Sequence, residues 1–140
     1  NNNFSGELPI PSAFNLRTLD FRDNQLNGII PSFRSCPRLQ NLRLSSNSFT
    51  GYTAGSIDDG GALAECRILR NLDLSNNDLR NENAFAVIRD MYKTYQLNPR
   101  RRVTINLFGN PKIDENQIRE NDSIRPLLEF LRNKGWIILI

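Results

Sequence analysis

A recurring pattern of leucine and asparagine constrains the fold of this chain more than any other feature. The pattern is LxxLxLxxN, in which x is any residue, and copies of it end at Asn24, Asn47 and Asn77. A fourth, weaker copy ends at Asn110, and the tail of an earlier copy surrounds Asn2. Self-similarity of this kind is typical of repeat proteins, in which each copy forms one structural unit that stacks on the next.

The spacing of the copies predicts how the 140 residues are organised. Successive asparagines are 22, 23, 30 and 33 residues apart, and adding the last spacing to Ile105 and Leu107 reaches isoleucine at both 138 and 140. We therefore expect five strands, the last of them over residues 136–140. The whole chain, 1–140, is expected to be one domain, with short repeats in 1–51 and longer repeats that contain helices in 52–140.

Each position of the repeat has a physical reason. The L-x-L segment alternates, which places two apolar side chains on one face of a short strand and the residue between them on the other. One strand cannot bury that apolar face alone, so the copies are expected to stack as a parallel sheet over a continuous core. An asparagine amide can satisfy backbone groups where the chain turns away from the strand. We therefore expect an asparagine ladder, made of Asn2, Asn24, Asn47, Asn77 and Asn110. All of these except Asn2 are expected to be buried and hydrogen-bonded to the backbone.

The segments between the strands change character along the chain. The repeats of 22 and 23 residues leave room only for an extended or 3₁₀ return. In these returns Gly6, Gly28 and Gly51 are expected to adopt positive φ. An insertion over 52–61 lengthens the third repeat. Helices are expected over Ala62–Leu69, Asn83–Leu97 and Ser123–Asn133.

The early copies NLRTLDFRDNQLNGIIP and NNNFSGELP resemble the plant-type LxGxIP subclass of the leucine-rich repeat family, and the family resemblance covers essentially the whole chain. The ending LLEFLRNKGWIILI is similar to the endings of some bacterial surface and phage tail repeat proteins. The resemblance implies an α/β solenoid, a right-handed leucine-rich repeat array with a five-stranded parallel sheet on its concave side. The convex side is expected to be extended or 3₁₀ at the N-terminal end and helical at the C-terminal end.

Composition leaves little room for catalytic or metal chemistry. The chain has no histidine and only two cysteines, which excludes histidine-based catalysis and a four-ligand zinc site. The sequence also contains no phosphate-binding glycine loop and no nucleophile with a plausible base. We therefore expect no enzymatic activity and no cofactor. Cys36 and Cys66 occupy the same position in successive repeats, where two reduced core thiols are favoured over a disulfide.

Two charged segments suggest other sites, and each has a simpler interpretation. Asp58–Gly61 lacks the alternating ligand spacing of a calcium loop, which favours a solvated turn. Arg100–Arg102 is able to hold phosphate or an acidic protein, but runs of charge are usually a solvated face. The net charge of +3 is a mild surplus, and we expect no nucleic-acid binding. The apolar run over residues 136–140 is too short to cross a bilayer, so no membrane insertion is expected.

The outward residues of the strands form the surface that repeat proteins characteristically use. In the N-terminal two-thirds these residues are polar, and Asp20 is expected to pair with Arg43, and Arg43 with Asp73. At the C-terminal end they are apolar, which is typical of a contact site. The alternative is a plain strand edge, or one covered by a further segment. The expected partner-binding residues are Asp20, Arg22, Arg43, Asp73, Asn106, Phe108, Ile137 and Leu139.

These observations favour a protein-binding module from an extracellular or cell-surface protein, by analogy with the fold. The alternatives are a structural spacer in a larger surface or phage tail-fibre protein, and an intracellular scaffold. The chain starts after the strand of its first repeat, so Leu8, Phe14 and Leu16 are expected near an uncapped end of the core. Self-association through that end, or further repeats upstream, is therefore expected.

Overall fold

Eight short strands and three helices follow one another in residues 2–10, 12–55, 60–99 and 101–140, which the computed structural model describes. The strands are β1 (Ser5–Glu7), β2 (Thr18–Asp20), β3 (Gln25–Ile30), β4 (Asn41–Arg43), β5 (Ser48–Tyr52), β6 (Asn71–Asp73), β7 (Thr104–Asn106) and β8 (Ile137–Leu139). The helices are α1 (Asn81–Leu97), α2 (Glu115–Glu120) and α3 (Arg125–Asn133).

The strands predicted from the repeats form one parallel sheet in the order β2-β4-β6-β7-β8. Its register follows the sequence repeat, because the central residues of neighbouring strands are partners and all of them are buried. These central residues are Leu19, Leu42, Leu72, Ile105 and Ile138. Parallel strands that alternate with turns and helices at the repeat spacing fit an α/β repeat fold.

The returns of the first three repeats form a second sheet, where the sequence predicted only extended or 3₁₀ segments. β1, β3 and β5 pair in parallel, in that order. The two longer strands of this sheet bury Leu26, Ile30 and Phe49 against the core. Each of these strands follows soon after a ladder asparagine, so the three lie side by side and satisfy one another's backbone groups.

The asparagine ladder joins consecutive repeats through side-chain amides. The Asn77 Nδ2 group donates to the backbone oxygens of Leu44, Leu74 and Ser75 at 3.0, 3.2 and 3.1 Å. Its Oδ1 accepts from the N–H of Phe49 at 3.1 Å. The same arrangement, with Oδ1 accepting from an N–H of the preceding repeat, recurs at Asn24, Asn47 and Asn110.

Burial of the ladder increases along the chain. Asn77 and Asn110 are buried, whereas Asn24 and Asn47 are half-buried and Asn2 is exposed. The expectation of burial is therefore wrong for Asn24 and Asn47. The physical reason is that the early repeats have short returns and no helix to cover the turn.

The residue before each of the last four ladder asparagines has a left-handed backbone conformation. This position is occupied by Asp23, Ser46, Asn76 and Gly109, with φ of 58°, 56°, 53° and 79°. The chain thereby reverses after the strand and directs the next side chain back to the backbone. Gly6 and Gly28 also have positive φ, as expected. The expectation is wrong for Gly51, whose missing side chain instead makes room for Ile29 of the neighbouring strand.

The long helix α1 matches the helix predicted over Asn83–Leu97. Before its first turn, the N–H of Arg80 donates to the Asn83 Oδ1 at 2.9 Å. The helix ends at Leu97, and the N–H of the next residue, Asn98, donates to the Thr94 oxygen at 3.0 Å. The face that packs on the core is apolar, and its buried residues include Ala84, Val87, Ile88 and Met91.

The last helix, α3, begins later in the chain than the sequence predicts. The helix expected over Ser123–Asn133 begins at Arg125 and has a proline in its first turn, a position that suits proline because no N–H is needed there. Gly135, with φ +88°, follows the helix. The preceding helix α2 was not predicted; the Asp114 carboxylate caps it by accepting from the Asn116 N–H at 2.9 Å.

The helix predicted over Ala62–Leu69 is wrong. The segment makes successive turns, in which the Cys66 N–H donates to the Leu63 oxygen at 3.0 Å and the Leu69 N–H to the Cys66 oxygen at 3.2 Å. The preceding repeat turns in the same way at Phe33, Cys36 and Leu39. Stacking on that repeat therefore overrides the local preference of the segment for a helix.

The two cysteines lie in the core as reduced thiols. Cys36 and Cys66 are both fully buried and are not joined by a disulfide, which matches the interpretation that the sequence favoured. Burial, followed by the influence of Cys36, raises the pKa of the Cys66 thiol to about 12. The thiol therefore stays protonated at neutral pH, where it acts as a small apolar side chain.

At the N-terminal end the expectation for the core holds in part. Leu8 is buried and Leu16 is half-buried. Phe14, however, is 61% exposed. The Arg38 guanidinium lies 5.0 Å from the centre of its ring, so Phe14 lies at the surface and contacts a neighbouring repeat.

A buried carboxylate holds the insertion after β5 against α1. Asp90 of α1 accepts hydrogen bonds from the Tyr52 hydroxyl at 2.5 Å and from the Gly61 N–H at 2.9 Å. The Tyr52 oxygen accepts in turn from the Leu63 N–H at 3.1 Å. A side chain at position 61 would collide with the Asp90 carboxylate, so glycine allows the close approach.

Candidate functional site

The face of the five-stranded sheet displays the residues on either side of each buried central residue. The register aligns the outward residues that follow the central positions into one column across the sheet. The column reads Asp20, Arg43, Asp73, Asn106 and Leu139. Each of these side chains is exposed or half-buried, so the structure places five of the predicted partner-binding residues together on one surface.

Charges at the N-terminal end of this face partly satisfy one another. Asp20 Oδ2 lies 2.8 Å from the Arg22 guanidinium and 3.7 Å from that of Arg43. The hydrogen bond from Arg22 lowers the pKa of the Asp20 carboxyl below its ordinary value. The expected pair between Arg43 and Asp73 is not formed, since Asp73 Oδ1 accepts instead from the Ser75 hydroxyl at 2.6 Å.

A row of hydrogen-bonded side chains, which sequence reasoning missed, crosses the same part of the face. Asn41 Nδ2 donates to the Thr18 hydroxyl at 3.1 Å, and Asn71 Nδ2 donates to the Asn41 Oδ1 at 2.7 Å. The signal was present in the sequence, because these residues hold the same repeat position and all have polar side chains. The row makes this part of the face a set of polar groups that already have partners.

The C-terminal end of the face is apolar and exposed. Phe108 is 65% exposed, Ile137 is 56% exposed and Leu139 is 47% exposed. Ile137 and Leu139 flank the buried centre of β8, and Phe108 follows β7, the neighbouring strand. We call these three residues the apolar end. Their exposure agrees with the alternation read from the sequence.

Two shallow depressions adjoin the apolar end. The first, about 250 Å³ in volume, lies on the sheet face between Arg43, Asp73 and Leu139. The second, about 320 Å³, lies beyond the strands between Phe108, Ile113 and Ile140. A surface with exposed apolar groups beside concave regions can receive apolar side chains of another molecule.

The segments considered for metal or charge chemistry do not form such a site in the described residues. Asp58 and Asp59 of the candidate metal loop lie outside them, as does Arg100. Elsewhere in the described ranges no three acidic or cysteine side chains cluster as metal ligands would. The expectation of a solvated face is wrong for Arg101, which is buried. Among the described helices, none is long and apolar enough to cross a bilayer.

Comparison with known proteins bears on the first half of the repeat array. Residues 14–54 match the family model described as Leucine Rich repeats (2 copies). This span contains the copies that end at Asn24 and Asn47. No curated protein and no solved structure matches the chain. Repeats of this family generally mediate protein binding and are typically non-enzymatic. Residues 14–54 are therefore similar to leucine-rich repeats, and the parallel strands at the repeat spacing fit an α/β repeat fold.

Proposed function

We propose that the chain is a non-enzymatic protein-binding module whose partner contacts the face of the five-stranded sheet. The proposal rests on the apolar end, where Phe108, Ile137 and Leu139 are exposed together. Exposed apolar groups that gather on one surface are typical of interaction sites, whereas single ones are common everywhere. The partner is therefore expected to bring apolar side chains to this end of the face.

A comparison of the free energies of apolar burial and of exposed ion pairs favours the apolar end as the centre of binding. Burying one large apolar side chain that is exposed contributes about 1.5–3 kcal/mol. The ion pairs of Asp20 with Arg22 and Arg43 are exposed, and such pairs are screened by solvent and contribute little. In our proposal the charged residues form a rim that affects the association rate and specificity, while the apolar end supplies most of the affinity.

The proposed architecture around this face is a right-handed solenoid with the five-stranded sheet on its concave side. We further propose an extracellular or cell-surface location, supported by the resemblance of the early repeats to the LxGxIP subclass. The alternative is an intracellular scaffold, which the buried, reduced thiols allow. Fractionation of cells that express the full-length protein distinguishes the two locations.

Phe108→Ala is expected to leave the fold intact. Because the ring is 65% exposed, the change in the free energy of unfolding is expected to stay within about 0.5 kcal/mol. Urea unfolding of the wild-type and variant chains measures this difference. A loss of about 2 kcal/mol or more would mean that the ring packs in the core, and the apolar end would then lose its central member.

The same variant tests binding. Proteins captured by the immobilised wild-type chain are identified, purified and titrated against each variant by calorimetry. Phe108→Ala is expected to weaken the binding of the partner by about 1–3 kcal/mol. Phe14→Ala is the matched control, because Phe14 is 61% exposed and lies at the other end of the array. Equal affinity of the two variants for every purified partner contradicts the proposed site.

A structural spacer within a larger surface or phage tail-fibre protein is the alternative function. The hydrogen-bonded row of Thr18, Asn41 and Asn71 favours it, because polar groups that satisfy one another do not need a partner. A spacer is expected to retain no protein through its sheet face. The capture experiment therefore separates the two functions.

A further inference from the structure

A basic cavity lies at the edge of the five-stranded sheet where the chain enters β6 and β7. Its volume is about 350 Å³, and it is open to solvent. We call it the arginine cavity, and its lining residues are Ile68, Arg70, Asn98, Arg101 and Arg102. It is separate from the sheet face of the proposed function, since none of its lining residues belongs to a strand.

The charge of the arginine cavity is one-sided. Three of the residues that line it, Arg70, Arg101 and Arg102, are arginines, and no acidic residue lines it within the described ranges. Glu65, on the loop before β6, is paired with Arg67 at 3.7 Å. Three like charges in one concavity repel one another, and low-dielectric walls concentrate their positive potential. An anion in the cavity would relieve that repulsion.

Arg101 is the most unusual of the three arginines because it is only 8% exposed. Its Nη2 donates to the Thr94 hydroxyl at 2.6 Å, and its Nη1 donates to the backbone oxygen of Arg67. Its guanidinium lies 5.4 Å from the centre of the Trp136 ring. These partners are neutral, so in the described structure no acidic side chain pairs with this buried charge.

One donor of Arg101 has no partner. The Nε–H is buried and meets no hydrogen-bond acceptor in the described residues. A buried donor without an acceptor carries a free-energy cost, and native structures usually satisfy such groups. Burial lowers the pKa of Arg101 to about 10, and the side chain therefore remains charged at neutral pH. Arg101 is therefore a fixed positive charge beside the cavity.

Arg102 is placed at the rim by a glycine. Gly135 has φ +88°, and a side chain there would approach the Arg102 Nε to 3.3 Å. The glycine thus leaves space for the exposed guanidinium beside the entrance to β8. Arg70 is exposed as well. The cavity therefore combines one fixed, buried arginine with two that can adjust to a ligand.

We infer that the arginine cavity binds a phosphate group, either free or as a phosphomonoester. Planar guanidinium groups form paired hydrogen bonds with tetrahedral oxyanions. A phosphate carries close to two negative charges at neutral pH, which balances three arginines better than the single charge of a carboxylate. The donors converge from two successive repeats, so a bound phosphate would link the entrances of β6 and β7.

The test observes the arginine Nε–H signals of the full chain by NMR during titration with sodium phosphate. Separate titrations use O-phosphoserine, as the phosphomonoester, and acetate, all at constant ionic strength. Both phosphate compounds are expected to shift the Arg101 signal in a saturable manner, and the tighter of the two identifies the source. Acetate is expected to bind at least about tenfold more weakly.

Variants assign the response to the cavity. Arg70→Gln and Arg102→Gln remove exposed charges and are expected to fold, and each should weaken phosphate binding by about tenfold. Arg89→Gln is the matched control, because Arg89 is exposed on α1 outside the cavity. A response that does not saturate, that acetate reproduces, or that survives in both cavity variants overturns the inference.

Discussion

Asn77→Ala is expected to lower the free energy of unfolding by about 2–4 kcal/mol, because it removes several buried hydrogen bonds at once. The amide of Asn77 donates to three backbone oxygens and accepts from the buried N–H of Phe49. Alanine leaves that N–H without a partner in a region closed to water. Urea unfolding, followed by circular dichroism and by the fluorescence of Trp136, measures the loss.

The expected loss in the free energy of unfolding depends on how deeply each ladder asparagine is buried. Asn47→Ala is expected to cost about 1–3 kcal/mol and Asn24→Ala about 1 kcal/mol, since water reaches these half-buried positions and replaces part of the lost hydrogen bonding. Asn71→Ala on the exposed face is the control, with a change within about 0.5 kcal/mol. Equal stability of the Asn77 variant and the wild-type chain would show that the ladder does not hold the repeats together.

The five-stranded sheet could be predicted because the place of each strand residue follows from its position in the sequence repeat and not from local secondary-structure preference. Leu42 and Leu72 are buried partners in neighbouring strands because they hold the same repeat position. The apolar end follows from the same alternation, which sends Ile137 and Leu139 outward around the buried Ile138. The alignment of the repeats therefore predicts both the core residues and the residues of the candidate binding face.

The parts that could not be predicted depend on contacts between repeats. The segment Ala62–Leu69 has helical composition, yet it stacks on the turns of the preceding repeat and follows their course. The sheet of β1, β3 and β5 arises because three returns happen to lie side by side. Sequence patterns report the preference of one segment, whereas these features are decided by its neighbours.

The same limit applies to the arginines. Arg101 lies in a run of three basic residues, a pattern that predicts exposure. Its burial depends on Thr94 of α1 and on Trp136, which lies just before β8 and is distant from Arg101 in the sequence. Within the run, Arg102 is exposed as predicted. Two adjacent arginines of one run, Arg101 and Arg102, therefore differ in burial.

Asp90→Ala is expected to lower the free energy of unfolding by about 2–4 kcal/mol. The variant removes the acceptor of the Tyr52 hydroxyl and of the Gly61 N–H, and both groups are buried. The insertion after β5 then loses its attachment to α1. Tyr52→Phe is expected to cost less, because Asp90 keeps its bond to Gly61. A double-mutant cycle of these two variants measures the coupling of Asp90 with Tyr52.

The pH dependence of Asp90→Asn completes this test. Burial raises the pKa of the Asp90 carboxyl above its ordinary value of 3.8, although the hydrogen bond from Tyr52 acts in the opposite direction. The folded chain therefore binds this proton more tightly than the unfolded chain. The resulting stability is fully present below pH 3.8 and is lost as the pH rises through the folded pKa. Lowering the pH from about 7 to about 4 should thus stabilise the wild-type chain relative to Asp90→Asn, since the other carboxyls are common to both chains. A difference that stays constant over this range contradicts a buried, desolvated Asp90.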